Sequence, residues 1–178
     1  MIEIRLLTEK DETAVRLPNE AFSLFGRLQV SHDETGWHAT EERFSPEDVK
    51  ELTFPDENYE IEKVLKEGLA VGAFDGKNCV GVAIFTHDWL KYLYLSDLKV
   101  ASAYRGQGIA EKMLALGLKK AKEKGYAGIW TIGQDNNLAA CRFYLKMGFE
   151  IGGLDTLIYR HTTQAEKANV HFYWEGEK

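Results

Sequence analysis

Hydrophobic and polar positions change their rhythm along the chain, and each change predicts an element. Ile2 to Leu7 alternates apolar with charged residues, the period of a half-buried strand. Thr8, with Asp11 three residues on, reads as the cap of a helix reaching about Phe25. From Gly26 to Thr40 the rhythm is lost. That stretch is expected to be a loop or irregular element, either a substrate wall or a surface loop anchored by Trp37. Ser45-Pro46-Glu47-Asp48 predicts a short helix, and Asn58 to Glu67 a second one that Gly68 ends. Two apolar runs, Leu69 to Phe74 and Cys79 to Thr86, flank Asp75-Gly76-Lys77-Asn78 and predict a hairpin.

Leu90 to Val100 reads as the next strand, with burial on both faces expected from Tyr92-Leu93-Tyr94-Leu95. Ile109, Met113, Leu114, Leu116, Leu118 and Ala121 then recur at helical spacing up to Gly125. Ala127 to Ile132 predicts a short strand, parallel to the one before it because a helix joins them. A turn through Gly133 to Asn137 leads into a helix from Leu138 to Met147, ended by Gly148. Phe149 to Leu154 and Val170 to Trp174 read as the last strands, with Leu157 to Arg160 as a possible extension of the first.

The 178 residues are 44% hydrophobic and 28% charged, which suits a single domain over 1–178 with a real core. A net charge of −6 argues against nucleic acid as the main partner and suits a cationic ligand. Cys79 and Cys141 lie far apart without metal-ligand spacing, as two reduced thiols of a cytoplasmic protein would. The five histidines are equally scattered, so no metal is expected. No apolar run reaches the roughly 18 to 20 residues of a membrane span. The first residues lack the pattern of a signal peptide.

Two stretches carry candidate chemistry. The first joins a strand to a helix through Arg105, Gly106, Gln107 and Gly108. Glycines let the backbone approach an anion, and the first N–H groups of a helix lack internal partners. Arg105 to Ala110 is therefore a candidate pyrophosphate cradle, the other reading being a packing turn that needs small residues. It matches neither a dinucleotide fingerprint nor a P-loop. The second stretch is Asn137 to Phe149, where Asn137, Cys141, Tyr144 and Gly148 lie near one helical stripe. By itself it is also readable as a capped amphipathic helix, with Asn136 or Asn137 as cap and Tyr144 in the core.

Together, R-x-x-G-x-A at Arg105, Gly108 and Ala110 and the run Asn137, Ala140, Phe143, Tyr144, Lys146, Gly148, Phe149 resemble the GNAT acetyltransferase superfamily. The resemblance implies an α/β (α+β) fold: a mixed, mostly antiparallel sheet flanked by helices, with a splayed parallel strand pair. It implies acetyl-CoA as cosubstrate. Backbone groups of Leu98, Lys99 and Val100 would hold the pantetheine arm and acetyl carbonyl. Arg105, Gly106, Gln107, Gly108, Ile109 and Ala110 would wrap the pyrophosphate, and Asn137 and Ala140 would face the pantetheine arm. Tyr144 would protonate the leaving sulfur. Asp97 would take the amine proton, or anchor the ammonium, or pair with Lys99; Glu60 and Asp88 are further carboxylates to consider.

Within that superfamily, L-S-D-L-K-V, Q-D-N-N-L-A-A-C-R-F-Y and G-G-L-D-T-L-I-Y-R look like streptothricin acetyltransferases, except that Ser96 stands where glutamate is expected. The acceptor implied is a primary amine of a small cationic molecule. Acetylation of a protein or peptide amine, and a non-catalytic acetyl-CoA-binding domain, are the competing readings. The resemblance admits a monomer or a homodimer.

Overall fold

In the computed structural model, which describes Met1 to Gly176, eleven strands and three helices follow one another along the chain. They are β1 (Ile2–Leu6), β2 (Phe22–Leu24), β3 (Gly26–Asp33), β4 (Gly36–Arg43), β5 (Lys50–Leu52), α1 (Ile61–Glu67), β6 (Gly68–Asp75) and β7 (Asn78–Thr86). After them come β8 (Tyr92–Val100), α2 (Ile109–Glu123), β9 (Gly128–Gln134), α3 (Leu138–Lys146), β10 (Glu150–Asp155) and β11 (Asn169–Trp174). The fold is mixed α/β with mostly antiparallel strands, and the chain divides into two compact units. Met1–Glu20 and Phe54–Ile129 form one; Ala21–Thr53 and residues 130–176 form the other.

In the first unit β1, β6, β7 and β8 lie in that order, each antiparallel to the next. Asp75 pairs with Asn78, so Gly76 and Lys77 alone make the hairpin turn, and Gly76 has φ +59 as such a turn requires. One face of these strands carries Val15, Ile61, Val64, Phe74, Val82 and Ile84. The other receives α2, whose fully buried Met113 and Leu114 each contribute about 1.5–3 kcal/mol by leaving water. Gly117 lets α2 come close: a Cβ there would stand 2.2 Å from the Phe85 ring. The parallel start of β9 is visible where the Ala127 N–H donates to the Lys91 carbonyl at 2.8 Å.

β8 departs from a regular ladder at one place. Ile84 faces Asp97 and Phe85 faces Leu95, so Ser96 is an extra residue, a β-bulge. The Ser96 hydroxyl donates to the Ile84 carbonyl at 3.1 Å, and Thr86 Oγ1 donates to Ser96 at 3.2 Å. The bulge therefore keeps its polar groups satisfied. Only Leu93 and Leu95 of β8 are buried, so the strand is half-buried rather than covered on both faces as its composition predicts.

In the second unit β9, β11 and β10 lie in that order, and β10 and β11 are antiparallel. Tyr144, Phe149, Phe172 and Trp174 pack ring against ring, with centroids 5.3 Å apart in three successive pairs. Cys141 and Leu138 are fully buried. Gly26 forms an isolated parallel bridge with Asn137, and the Leu28 N–H donates to the Asp135 carbonyl at 2.9 Å.

Four expectations are corrected. Thr8 to Phe25 is not a helix: Asp11 accepts from the Thr8 amide and pairs with Arg5, which closes a turn. Pro18 then prevents helical continuation, so only the short turn Ala14–Arg16 and β2 form. Gly26 to Thr40 is an ordered hairpin, not a loop: β3 and β4 pair from Gly26↔Arg43 to Asp33↔Gly36. Most of its side chains are exposed on both faces, so no apolar alternation marks it. The helix expected at Ser45 shrinks to the single 3-10 turn Pro46–Asp48. Leu157 to Arg160 makes turns rather than extending β10, with Asp155 accepting from the Leu157 and Ile158 amides.

Candidate functional site

The first unit brings together a carboxylate cluster and a glycine turn at the two ends of one segment. Lys99 Nζ lies 2.5 Å from Glu57 Oε2 and 3.2 Å from Asp97 Oδ2, and it donates to the Leu17 carbonyl at 3.3 Å. The ammonium also sits 5.8 Å from the centre of the Tyr59 ring. The Lys99 side chain is 9% exposed and that of Asp97 14%, so the pair is largely dry. The contact with Asp97 is an ion pair without the alignment of a hydrogen bond.

Burial pushes the Asp97 pKa above the usual carboxylate value, and Glu57 adds to the rise while Lys99 and the Tyr59 hydroxyl oppose it. For Lys99, burial acts against the charge, but the hydrogen bond to Glu57 and the attraction of Asp97 outweigh it, and the pKa is raised. Burial likewise pushes Tyr59 well above the ordinary phenol value. The cluster thus holds a buried carboxylate biased toward protonation beside a lysine kept charged. A carboxylate of that kind accepts a proton from an amine better than an ordinary surface aspartate does.

Beyond β8 the chain makes a short 3-10 turn, Ser102–Tyr104, and enters the glycine turn. Gly106 and Gly108 have φ of +74 and +73, the left-handed region that glycine adopts at little cost. A Cβ at either would meet nothing within 4 Å, so the backbone is open on that side. Gly108 is the N-cap of α2 and no side chain caps this end. The leading N–H groups of the helix therefore remain free to meet an anion, and the macrodipole favours one.

Arg105 folds back: its Nε donates to the Val100 carbonyl at 3.0 Å, and its guanidinium pairs with Glu20 at 3.3 Å. Glu20 also accepts from the Ser102 amide at 2.7 Å. Open glycines, an uncapped helix start and a guanidinium at the same turn fit a pyrophosphate. Glu20 occupies part of the guanidinium that would meet it.

The second unit positions the other predicted residues. Asn137 is the N-cap of α3, its Oδ1 accepting from the Ala140 amide at 3.2 Å, which leaves its side-chain NH2 as donor. Ala140 is thereby tied to the cap itself. Tyr144 is 9% exposed within the ring cluster of that unit. Cys141 donates to the Gln134 carbonyl at 3.4 Å, and burial pushes its thiol up to about 12, consistent with packing rather than nucleophilic chemistry.

Glu57, Tyr59 and Glu20 were not singled out by sequence reasoning. Glu57 is 42 residues from Lys99 and carries no spacing signal; only tertiary structure brings the two together.

Comparison with known proteins identifies the family and the fold. The model of the acetyltransferase (GNAT) family matches residues 34–149. Streptothricin acetyltransferase A of Bacillus subtilis is 33% identical over 159 residues, covering 89% of this chain and 91% of its own. The structure of a Bacillus anthracis protein described as a streptothricin acetyltransferase, in complex with acetyl coenzyme A, superposes with a TM-score of 0.87. It is 25% identical and covers 98% of this chain and 99% of its own. Nourseothricin acetyltransferase shares the fold at a TM-score of 0.77, with 22% identity and coverage of 97% and 96%. The chain belongs to the GNAT acetyltransferase family.

Proposed function

We propose that the protein moves the acetyl group of acetyl-CoA to a primary amine of a small cationic acceptor of the streptothricin type. The observation that carries this reading is the sequence of features along one segment: a buried carboxylate with a raised pKa on β8, followed at once by an open, uncapped glycine turn. The likeness over nearly the full length of a streptothricin acetyltransferase supports the acceptor class, and a net charge of −6 suits a cation.

Acetyl-CoA supplies an acetyl group activated as a thioester. The amides of residues 106–110 and the Arg105 guanidinium bind its pyrophosphate. Main-chain groups of Leu98, Lys99 and Val100 hold the pantetheine arm, and one N–H there donates to the acetyl oxygen as negative charge develops on it. Asn137 reaches the same arm through its NH2. Asp97 takes the proton from the acceptor ammonium, directly or through water, while Lys99 stays charged beside it. The neutral amine forms the new C–N bond as the C–S bond breaks, Tyr144 donates its proton to the departing sulfur, and the second proton lost by the new amide nitrogen returns through water to the Tyr144 phenolate.

The test is release of free thiol from acetyl-CoA with streptothricin, aminoglycosides, spermidine, lysine and N-terminal peptides, for the wild type and for Tyr144→Phe. Turnover with streptothricin, reduced about 10²-fold or more in the variant at unchanged acetyl-CoA affinity, is the expected result. Turnover with peptides alone overturns the acceptor class. Full activity of Tyr144→Phe overturns the assignment of the acid.

A further inference from the structure

A cavity of about 330 Å³ in the first unit lies between α1 and the strands β7 and β8. It is lined by the apolar Val64 and Ile84 and by Tyr59, Thr86 and Ser96. Two carboxylates, Glu60 and Glu67, also line it, at the two ends of α1. Asp97 is not among its lining residues. It is engaged instead by Tyr59, itself a lining residue, and by Lys99.

Ser96, a neutral hydroxyl, gives the cavity no charge, and its proton is committed to the Ile84 carbonyl. Its short side chain leaves room that a longer one would fill. The negative charge of the cavity therefore comes from the two glutamates. Asp97, which takes the proton in the reading above, interacts with Tyr59 and Lys99 and does not line the cavity, so the glutamates are left to hold a cation and not to deprotonate one that reacts.

We propose that this cavity binds a second, distal ammonium group of the acceptor, its alkyl chain lying over Val64 and Ile84 and its charge meeting one of the two glutamates that line it, Glu60 or Glu67. The protein is then selective for diamines over monoamines. The assignment rests on the acceptor reading above for what happens at the other amine. Apolar side chains flanked by carboxylates match an alkylammonium chain, which is apolar along its stem and charged at its tip. Lys63, another lining residue, is the built-in competitor: its Nζ lies 4.0 Å from Glu67.

Calorimetric titration of the coenzyme A-saturated protein with 1,5-diaminopentane and with 1-aminopentane tests this directly. The diamine is expected to bind about tenfold more tightly, the size of one charge-assisted contact. The double variant Glu60→Gln, Glu67→Gln is expected to bind both amines alike, and Lys63→Met to favour the diamine further. Equal binding by the wild type, no measurable diamine binding, or a preference that survives in the double variant overturns the proposal. If the preference is found but no amine is acetylated, the acetyl-transfer reading falls and the subsite stands. If amines are acetylated without any preference in binding, the subsite falls alone.

Discussion

Lys99→Met tests whether the buried ion pair organises the chemistry of β8. Methionine keeps the apolar stem and removes the charge together with the hydrogen bonds to Glu57 and to the Leu17 carbonyl. In the wild type that charge lies 2.5 Å from Glu57 and 3.2 Å from Asp97, on a side chain 9% exposed. Without it Asp97, 14% exposed, must stay ionised in a dry setting or take up a proton. Breaking a buried pair by removing one partner costs about 3–5 kcal/mol. Glu57 is 37% exposed and can hydrate. The lower end, about 3 kcal/mol at neutral pH, is therefore expected.

The pH dependence has a definite sign. The Asp97 pKa is raised by folding, so the native state binds more protons than the unfolded one. Its contribution to stability falls as pH rises from the unfolded value, about 3.9, through the folded one. Removing Lys99 raises the folded value further and widens that window. The wild-type pair, in turn, weakens in acid as Glu57 is protonated below its lowered pKa. Urea unfolding at neutral pH and at about pH 4 should therefore show a large loss in the first case and a much smaller one in the second. The acid limb of kcat/KM should move to higher pH in the variant. An equal loss of stability at both pH values refutes the electrostatic argument. An unmoved acid limb refutes Asp97 as the base.

Other outcomes follow from single contacts. Glu20→Gln keeps an acceptor for the Ser102 amide but releases the Arg105 guanidinium, so the KM for acetyl-CoA should fall by about two- to fivefold at low salt. Gly117→Ala puts a methyl 2.2 Å from the Phe85 ring and should cost about 1–3 kcal/mol in urea unfolding, through overpacking of α2 against β7. Cys141, fully buried with its thiol pushed up to about 12, should resist a disulfide reagent at pH 8 until the protein is unfolded, as mass spectrometry of the labelled peptide would show.

The parts of the fold legible in the sequence were those where one face is buried and the other is not. α2, α3 and the β6–β7 hairpin appear at their expected places within a few residues, because apolar spacing and glycine punctuation both report a core. The segment from Thr8 to Thr53 was largely misread for the opposite reason. Its strands β3 and β4 are held by backbone pairing with little burial, which leaves no trace in hydropathy. Asp11, which looked like part of a helix start, is spent on Arg5. The glycine turn was legible because only glycine adopts φ near +73 without strain at two positions so close together. The pairing of Asp97 with Lys99 was foreseen as one of three options, since both side chains lie two residues apart on one strand face. The roles of Glu57 and Glu20 were not, because long-range contacts leave no periodicity to read.

The hairpin of β3 and β4 has a consequence for how copies of the chain behave in concentrated solution. β4 has β3 as its hydrogen-bonded neighbour, and nearly all of its residues face water. A flat strand with a free backbone row invites another chain to dock and extend the sheet. Here that row runs through His38, Glu41, Glu42 and Arg43, and Arg142 already clasps Glu41. An approaching copy would have to strip water from these charges and bring like charges opposite one another. Charge along the stretch least marked by hydrophobic pattern thus disfavours pairing with another copy, and replacing its glutamates with valine or threonine should lower that barrier.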